Sequence, residues 1–511
     1  MSLSRFSGTW AASSAALSGL LYAFAQPDRG AWPIAFVCLI PLLQALRGRG
    51  AGARLGLGWL SGTVAALALV LEPTGVAVAR YFEIAPWQGR VAAFGLGQLF
   101  GALPFALFAW MLGDPARQAV LARVGRAAAA LVLAEAVRSS FFTGLPWGLL
   151  AYAVTPTPLL AQSAAFGGAA LVSGLLAGAN AALASLLDRS HRPIAAAVAC
   201  ATFALLLLPA ARGLDGEPGL QRADAAPPRA GAVRIRLVQG SLPEVWRRDA
   251  TRIDEAIDRL VGLSRGVDTH VVAWPESALS APLPTNAALL RRRLAAIEPP
   301  RPSFVIGAPR VGDGDAVRLH NSAVVIGPEL EIRDHHDKTR LVPFTEYVPT
   351  PLRWLGVEGW SEAPGTRLRP LDVAGHRLGV SICYELIFSA VSRDLVRGGA
   401  ELLLNLSNDE WFGTQRGMEQ HFAAAVLRAI ETDRPLVRAT NTGITAGIDR
   451  LGRIVARLPE GTPAALSLDA HPRGTRTAFV RFGDWVPWVS AGLLAALLVR
   501  EPRGQADARQ P

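Results

Sequence analysis

The chain consists of long apolar stretches on either side of one long, more polar segment. The apolar stretches fall at about 9–25, 31–46, 55–71, 91–112, 127–143, 158–187, 193–211 and 485–499. A helix needs about 20 apolar residues to cross a bilayer, so the pattern predicts eight membrane-spanning helices. The first stretch ends in Ala23-Phe24-Ala25, which is typical of a signal-peptidase site, but further stretches follow at once and favour an uncleaved anchor.

Arginines are concentrated in alternate connections between these stretches. One set of connections, which includes both termini, holds Arg5, Arg47, Arg49, Arg54, Arg117, Arg123, Arg126, Arg189, Arg192, Arg500, Arg503 and Arg509. The opposite set holds Arg29, Arg80 and Arg90, with Arg138 near the end of a stretch. Because Lys and Arg collect on the cytoplasmic side of a membrane, both termini are predicted to be cytoplasmic and the polar segment to face outward. The net charge of +10 then reflects membrane topology, and no nucleic-acid partner is predicted.

The polar segment begins with a stretch rich in Gly, Pro, Ala and Asp, which is typical of a linker, and continues as a folded domain. In that domain, β-rich runs occur at Val233–Val238, His270–Trp274, Ser303–Gly307, Ala323–Ile326, Leu378–Ile382 and Glu401–Asn405, and helical patterns occur at 251–264, 285–297, 387–397 and 415–432. The alternation predicts an α/β layered sandwich in which helices cover a sheet. The predicted organisation is a seven-span transmembrane bundle at 1–212, a linker at 213–231, an extracytoplasmic domain at 232–480, and a last span with a cytoplasmic tail at 481–511.

The chain has three cysteines, and only Cys383 lies in the polar segment. Cys38 and Cys200 lie within apolar stretches, where cysteine acts as a small buried hydrophobic residue. A lone thiol forms no intramolecular disulfide, and no Cys or His spacing indicates a zinc site. Cys383 is therefore either a reactive thiol or an inert one.

Two charged residues, Glu135 and Arg138, lie three apart in the fifth apolar stretch. At that spacing they face the same side of a helix. Ionisable residues at such depth mark functional sites, but a structural pair inside the bundle fits equally well. The sequence leaves both interpretations open.

Three polar residues in the outward domain follow or adjoin predicted strands, where scaffolds hold catalytic groups. Glu276 follows Trp274-Pro275, Lys338 begins a conspicuous run ending at Pro349, and Cys383 ends an apolar run. Taken singly, each residue type is more often structural: a packed cysteine, a glutamate in a turn, a solvated lysine. Their order along the chain is what carries information.

The ordered strings WPES at 274–277, DKTRLVPFTEYVP at 337–349, SICYE at 381–385 and NLSNDEWFG at 405–413 resemble the carbon–nitrogen hydrolase (nitrilase) superfamily. The resemblance implies a nitrilase-like domain with a triad of Glu276, Lys338 and Cys383. Together with the predicted spans on both sides of that domain, the chain resembles the apolipoprotein N-acyltransferase family almost end to end.

That resemblance implies a two-step acyl transfer. Cys383 attacks an ester of a phospholipid, typically phosphatidylethanolamine, while Glu276 takes the thiol proton and Lys338 stabilises the oxyanion. The α-amine of a diacylglyceryl-cysteine at the start of an apolipoprotein then attacks the thioester, giving ping-pong kinetics. Because a thioester is converted to an amide, no cofactor and no metal are expected. The family also implies a bacterial inner-membrane protein whose catalytic domain faces the periplasm, and we expect a monomer.

Several further residues are candidates for substrate binding or support. The family carries functional acidic residues at positions matching Glu346, which is expected to support the base, and Glu385, which is expected to orient substrate or Lys338; a structural ion pair is the alternative for each. Tyr384 lies between the nucleophile and Glu385. The remaining candidates are aromatic: Trp354 and Trp360, in a predicted lipid-contacting arm or lid at 351–360, and Trp246, Trp411 and Phe412, in a predicted acyl pocket. Packing in the core is the alternative for each of them.

Two residues in or next to the motifs differ from the usual family pattern. His336 replaces a usual aromatic residue and Thr345 a usual glycine, and neither change touches the triad. His335 and His336 next to Asp337 do not predict a metal site, because adjacent side chains project differently. Two other functions remain open: a membrane-tethered amidase that hydrolyses a small substrate, and a non-catalytic scaffold that binds lipoproteins.

Overall fold

The structure is a computed structural model that describes residues 3–209, 211, 219–223, 230–243, 252–265, 268–279, 281–312, 318–349 and 362–499. Most of the predicted linker and the arginines of the C-terminal tail lie outside these residues. The chain divides into two compact units. The helical unit comprises Met1–Gly75, Trp87–Ala210 and Asp484–Pro511, and the sheet unit comprises Val76–Pro86 and Ala211–Gly483.

The helical unit contains helices at each of the predicted apolar stretches. They are α1 (Leu3–Phe24), α2 (Ile40–Ala45), α3 (Ala51–Leu69), α4 (Leu71–Tyr81), α5 (Pro86–Gly97), α6 (Leu103–Leu112), α7 (Val120–Ser140), α8 (Ala164–Ser185), α9 (Arg192–Leu207) and α15 (Trp485–Val499), with α4 continuing into the sheet unit. Within the described part of the chain, four helical segments are long and apolar enough to cross a membrane: Ala51–Leu69, Pro86–Arg117, Ala164–Ser185 and Arg189–Leu207. The chain is therefore a membrane protein.

The second predicted stretch is not one continuous helix. It forms a 3₁₀ turn at Trp32–Phe36 and then the short α2, and both have a proline in their first turn. Proline lacks the amide proton that an uninterrupted helix requires, so each of these two helical pieces begins at its own proline. Apolar composition located this stretch correctly but did not reveal the break.

Glu135 and Arg138 on α7 form the expected pair, with Arg138 Nη2 3.5 Å from Glu135 Oε1. Both side chains also bind the backbone of the following loop. Glu135 Oε1 accepts the N–H of Leu150 at 2.8 Å, and Arg138 donates to the carbonyl of Gly148 at 3.3 Å. These contacts satisfy buried backbone groups of that loop, whereas Glu135 Oε2 and Arg138 Nε have no hydrogen-bond partner among the described residues.

The sheet unit is built on two sheets. Its strands are β1 (Leu220–Arg222), β2 (Val233–Gln239), β3 (Val271–Ala273), β4 (Ser303–Val311), β5 (Leu319–Ile326), β6 (Ile332–Asp337), β7 (Leu371–Val373), β8 (His376–Ile382), β9 (Leu402–Ser407), β10 (Leu436–Thr440), β11 (Ala446–Ile448), β12 (Ile454–Arg457) and β13 (Ala464–Ala470). One sheet has the order β1-β13-β2-β3-β4-β5-β6, and the other has the order β12-β11-β10-β9-β8-β7. Strands β2, β3 and β4 run parallel, as do β8, β9 and β10.

Helices cover the outer faces of both sheets, as predicted for a layered sandwich. The helices are α10 (Ile253–Ser264), α11 (Leu283–Leu294), α12 (Ser389–Arg397), α13 (Gln415–Thr432) and α14 (Ala478–Phe482). Apolar side chains from both sheets, such as Ile235 and Leu404, form one core between the sheets. A second core lies between the first sheet and α10 and α11, around the fully buried Trp274. Packing in these two cores holds the ends of the strands in fixed positions.

Candidate active site

Glu276 stands in the turn after β3, buried and fully hydrogen-bonded. Its Oε1 accepts from Asn321 Nδ2 at 2.8 Å and from Lys338 Nζ at 3.1 Å, and its Oε2 accepts the backbone N–H of Asn408 at 2.9 Å. Gly307 on β4 makes room for this turn, since a Cβ atom there would lie 2.6 Å from the Cα of Glu276. The carboxylate is therefore held in one orientation by three donors.

Lys338 follows β6 and is completely buried between two carboxylates. Its Nζ lies 3.1 Å from Glu276 Oε1 and 2.6 Å from Glu346 Oε1. Burial by itself favours the neutral amine, but these two carboxylates raise the pKa of Lys338 well above its ordinary value. Lys338 is therefore a fixed cation inside the site.

Glu346 closes the turn that begins at Val342. Its Oε2 accepts the Val342 N–H at 2.7 Å, and its Oε1 also lies 3.4 Å from Asn321 Nδ2. Burial, joined by the charge of Glu276, raises the pKa of Glu346, while Lys338 opposes the rise. The ion pair expected as the alternative for Glu346 is present, but its partner is Lys338 of the predicted triad.

Cys383 begins the turn that follows β8, and its backbone has a φ of +47°. Few residues other than glycine adopt this left-handed conformation, and it occurs where a fold holds a functional side chain in a set direction. Burial, followed by the charge of Glu276, raises the pKa of the Cys383 thiol well above its ordinary range, while Lys338 and a hydrogen bond to Ser407 lower it. The Cys383 side chain is thus a protonated thiol, which would need a base to act as a nucleophile.

Glu385 is fully buried two residues after Cys383. Its Oε1 accepts from the N–H and the hydroxyl of Thr339 at 2.7 and 2.6 Å, and its Oε2 accepts the Ile382 N–H at 2.8 Å and lies 2.9 Å from His336 Nε2. Burial opposes ionisation, but His336 and these donors lower the pKa of Glu385 to about 2. Glu385 therefore ties the backbone beside Cys383 to the residue after Lys338.

His336 thus has a specific role in this chain. The imidazole of His336, which departs from the expected family pattern, is buried and pairs with Glu385. Among the residues that the structure describes, no group of three or more His, Cys, Asp or Glu side chains is arranged to hold a metal ion.

Sequence reasoning missed several members of the site. Asn321 lies in the middle of β5 and gives no motif, yet it donates to Glu276 and lies within reach of Glu346. Glu362 has a backbone N–H that donates to the Glu346 carbonyl at 2.9 Å. Burial and the charge of Glu346 raise the pKa of Glu362 to about 8. Glu362 is therefore a third carboxyl group at the site, in addition to Glu276 and Glu346.

The aromatic candidates are only partly described. Trp246, Trp354 and Trp360 lie outside the described residues. Trp411 packs against the ring of Tyr81 with centroids 5.6 Å apart, and Tyr384 meets Phe388 edge-on at 5.1 Å. Both contacts belong to the sheet unit and are consistent with packing as well as with substrate contact.

Phe412, the last aromatic candidate, meets the ring of His421 edge-on at a centroid distance of 5.7 Å. His421 reaches back to the carbonyl of Cys383. Phe412 therefore packs within the sheet unit, against a residue that contacts the backbone of Cys383.

The arrangement combines a thiol, a carboxylate able to take its proton, and a permanent buried cation. Two stretches of the chain match known families. Residues 230–471 match the carbon–nitrogen hydrolase family, and residues 18–182 match the apolipoprotein N-acyltransferase N-terminal domain. The fold and the site thus define a carbon–nitrogen hydrolase domain attached to a membrane bundle.

Relatives of known name extend along nearly the whole chain. An apolipoprotein N-acyltransferase of Geobacter metallireducens is 30% identical over 95% of this chain and 95% of its own length. Those of Rhizobium rhizogenes and Ralstonia nicotianae are 33% and 30% identical, over 86% and 98% of this chain and 86% and 95% of their own lengths. A solved amidase from Nesterenkonia sp. is 18% identical and superposes with a TM-score of 0.36 over 49% of this chain and 95% of that chain.

The chain therefore belongs to the apolipoprotein N-acyltransferase family. It is an acyltransferase enzyme of the membrane, as its sequence predicted.

Proposed function

We propose that this enzyme transfers a fatty acyl chain from a phospholipid to the α-amine of the diacylglyceryl-cysteine that begins an apolipoprotein. Cys383 is the nucleophile, Glu276 the general base and Lys338 the stabiliser of the oxyanion. The observation that carries the proposal is the buried Glu276–Lys338 contact beside a protonated thiol that the backbone holds in a left-handed turn.

In the first half-reaction, Glu276 takes the thiol proton as the sulfur of Cys383 bonds to the ester carbonyl carbon. The carbonyl oxygen gains negative charge, and the cation of Lys338 stabilises it. The tetrahedral intermediate collapses, the ester C–O bond breaks, and the lysophospholipid oxygen takes the proton back from Glu276. The products are a thioester on Cys383 and a lysophospholipid.

In the second half-reaction, the neutral amine of the acceptor attacks the thioester carbonyl. Glu276 takes a proton from the attacking nitrogen, the C–S bond breaks, and the departing sulfur receives that proton. An amide forms and Cys383 returns to its resting state. The same carboxylate serves both halves, and its three donors keep it in place between them.

Glu346 supports the pair of Glu276 and Lys338. It lies 2.6 Å from Lys338 Nζ and so holds the ammonium group together with Glu276. Glu385, by contrast, orients the backbone on both sides of the site through Thr339 and Ile382. Tyr384 and Trp411 contact the acyl chain near the nucleophile.

The catalytic domain faces the periplasm of a bacterial inner membrane, with eight spans and both termini in the cytoplasm. The alternating arginine clusters support this topology. It is also supported by the grouping of Val76–Pro86, a connection predicted to face outward, in the same compact unit as Ala211–Gly483. Tyr81 in this connection donates a hydrogen bond to the carbonyl of Thr345. The enzyme works as a monomer.

Phosphatidylethanolamine is the acyl donor in this proposal, and mass spectrometry of the full chain tests it directly. After incubation with phosphatidylethanolamine, the Cys383 peptide should gain one acyl mass that hydroxylamine removes. Cys383→Ser should not gain this label, whereas the matched control Cys200→Ser should gain it like the wild type. An unlabelled wild-type chain would contradict the proposed mechanism.

The acceptor step separates the alternatives. Adding a diacylated lipopeptide should convert the labelled enzyme to free enzyme and yield an N-acylated peptide. A tethered amidase would release free fatty acid and no N-acyl product. A non-catalytic scaffold would leave function in cells intact after Cys383→Ala.

A further inference from the structure

Behind the nucleophile lies a buried polar cluster that the acyl-transfer steps above do not use. It consists of Asp409 after β9, His421 on α13 and Arg438 on β10, and none of the three is more than 1% exposed. Placing a carboxylate, a guanidinium and an imidazole away from water is unfavourable unless each group is paired. The hydrogen bonds of the cluster provide this pairing, and they also indicate what the cluster does.

The contacts fix which nitrogen of His421 carries a proton. His421 Nε2 lies 3.1 Å from the backbone carbonyl oxygen of Cys383, and a carbonyl only accepts, so Nε2 is the donor. His421 Nδ1 lies 3.1 Å from both Arg438 Nη2 and Asp409 Oδ1, and Arg438 Nη2 also donates to both oxygens of Asp409 at 2.8 and 2.7 Å. Burial and the charge of Arg438 lower the pKa of His421, while Asp409 opposes the fall. The lowered pKa favours the neutral ring, whose proton is on Nε2 and whose Nδ1 accepts from Arg438.

The cluster affects the nucleophile at two points. At the backbone, His421 holds the carbonyl of a residue whose φ of +47° is unfavourable for any side chain larger than that of glycine. Near the thiol, Asp409 Oδ1 accepts the Ser407 hydroxyl at 2.9 Å, and the charge of Asp409 adds to the effects of burial and Glu276 in raising the pKa of Cys383. The contact with His421 thus connects the Cys383 turn to the Asp409–Arg438 pair.

We propose that His421 is a positioning residue for acyl transfer, which keeps the Cys383 turn in its left-handed conformation through the Nε2–H bond to the Cys383 carbonyl. Arg438 and Asp409 hold the ring in the required tautomer. His421 is not the general base, because its Nε2 is occupied by the carbonyl and not by the sulfur. The inference rests on the proposed function, since it assigns the turn to the attack of Cys383 on an acyl donor.

Two variants of similar polarity test the role of the hydrogen bond. In His421→Gln, the longer amide places an N–H group where Nε2 lies and keeps the bond to the Cys383 carbonyl. In His421→Asn, the shorter amide reaches only the position of Nδ1, and the carbonyl is left without its donor. Each full-length variant, in detergent micelles with phosphatidylethanolamine, is followed by mass spectrometry for the single-turnover rate of thioester formation on Cys383.

We expect thioester formation to slow by about tenfold to a hundredfold in His421→Asn, from the loss of one buried hydrogen bond at the reacting residue. In His421→Gln the rate should stay within about threefold of the wild-type rate, and KM for the donor should change little in both variants. Wild-type rates in both variants would overturn the proposal. So would equal slowing in both together with an equal fall in thermal midpoint, because that result indicates general packing.

Hydrogen exchange gives a readout that does not need the acyl chemistry. The backbone amides of the peptide 381–387 should exchange about tenfold faster in His421→Asn than in His421→Gln, because the turn opens more readily without its carbonyl bond. Equal exchange in the two variants would overturn the positioning role. If the wild-type chain forms no thioester, the proposed mechanism fails, and the exchange comparison still decides whether His421 holds the turn.

Discussion

Replacing Glu276 by Gln tests the general base while nearly preserving its shape. The carboxylate accepts from Asn321 and Lys338 on one oxygen and from the backbone N–H of Asn408 on the other. A glutamine keeps one acceptor oxygen, and its NH₂ group then faces a donor that needs an acceptor. One unpaired buried donor costs about 1–3 kcal/mol, so the free energy of unfolding should fall by that amount.

The loss of acyl transfer should be much larger than the loss of stability. The substitution should also change the reactivity of Cys383 in two opposite ways. Loss of a general base lowers the rate of thioester formation by about 10²- to 10⁴-fold. The negative charge of Glu276 also contributes to raising the pKa of the Cys383 thiol, after burial, and the glutamine removes that charge. More thiolate should therefore form at a given pH, and alkylation of Cys383 by iodoacetamide at pH 8 should be faster than in the wild type.

Both rates can be measured by mass spectrometry of the Cys383 peptide, once with phosphatidylethanolamine and once with iodoacetamide. Glu329→Gln is a suitable control, because the Glu329 side chain is 67% exposed and pairs only with the exposed Arg333 among the described residues. Thioester formation by Glu276→Gln within about threefold of the wild-type rate would refute the assignment of Glu276 as the base. A parallel fall in both rates would show instead that the substitution displaces the thiol.

Two further predictions concern stability and pH. Glu362 keeps its proton in the folded chain up to about pH 8 and loses it near pH 4.5 when unfolded, so it lowers stability progressively between these values. Glu362→Gln should therefore be at least about 1 kcal/mol more stable than the wild type at pH 8.5 and equal to it near pH 4, as followed by thermal midpoints. His336 also makes the folded chain less stable as the pH rises. Glu385 raises the pKa of His336 against the effect of burial, so its stabilising charge is complete below pH 6.5 and is lost as pH rises through the raised value. The stability advantage of the wild type over His336→Gln should shrink on raising the pH from 6 to 9, and a constant difference would contradict a charged His336.

The sequence located most of the framework because the framework depends on local pattern. The run at Val233–Val238 is β2 less one residue, and the helical pattern at 415–432 is α13. The motifs likewise revealed the polar residues that follow several of the strands. What the pattern did not contain was long-range pairing: β13 lies between β1 and β2 in the sheet, although it follows β2 by more than two hundred residues.

The supporting residues of the site could not be predicted for a related reason. Asn321 and Arg438 each lie inside a strand whose other residues are mostly apolar, and a single polar residue there gives no periodic signal. His421 lies on a helix buried along most of its length, where a histidine is ordinarily a packed residue. Each of them gains its role from a contact with a residue far away in the sequence, and one sequence does not encode that proximity in any local pattern.

The protonated state of Cys383 also affects how long the enzyme lasts. The thiolate is the form that attacks oxidants and disulfides, and the raised pKa keeps the partly buried sulfur of Cys383 in its less reactive thiol form. The other two cysteines belong to the helical unit, so the sheet unit has no second thiol with which Cys383 could form an internal disulfide. In the proposed mechanism, the same raised pKa that slows oxidation of Cys383 between substrates makes each turnover depend on Glu276.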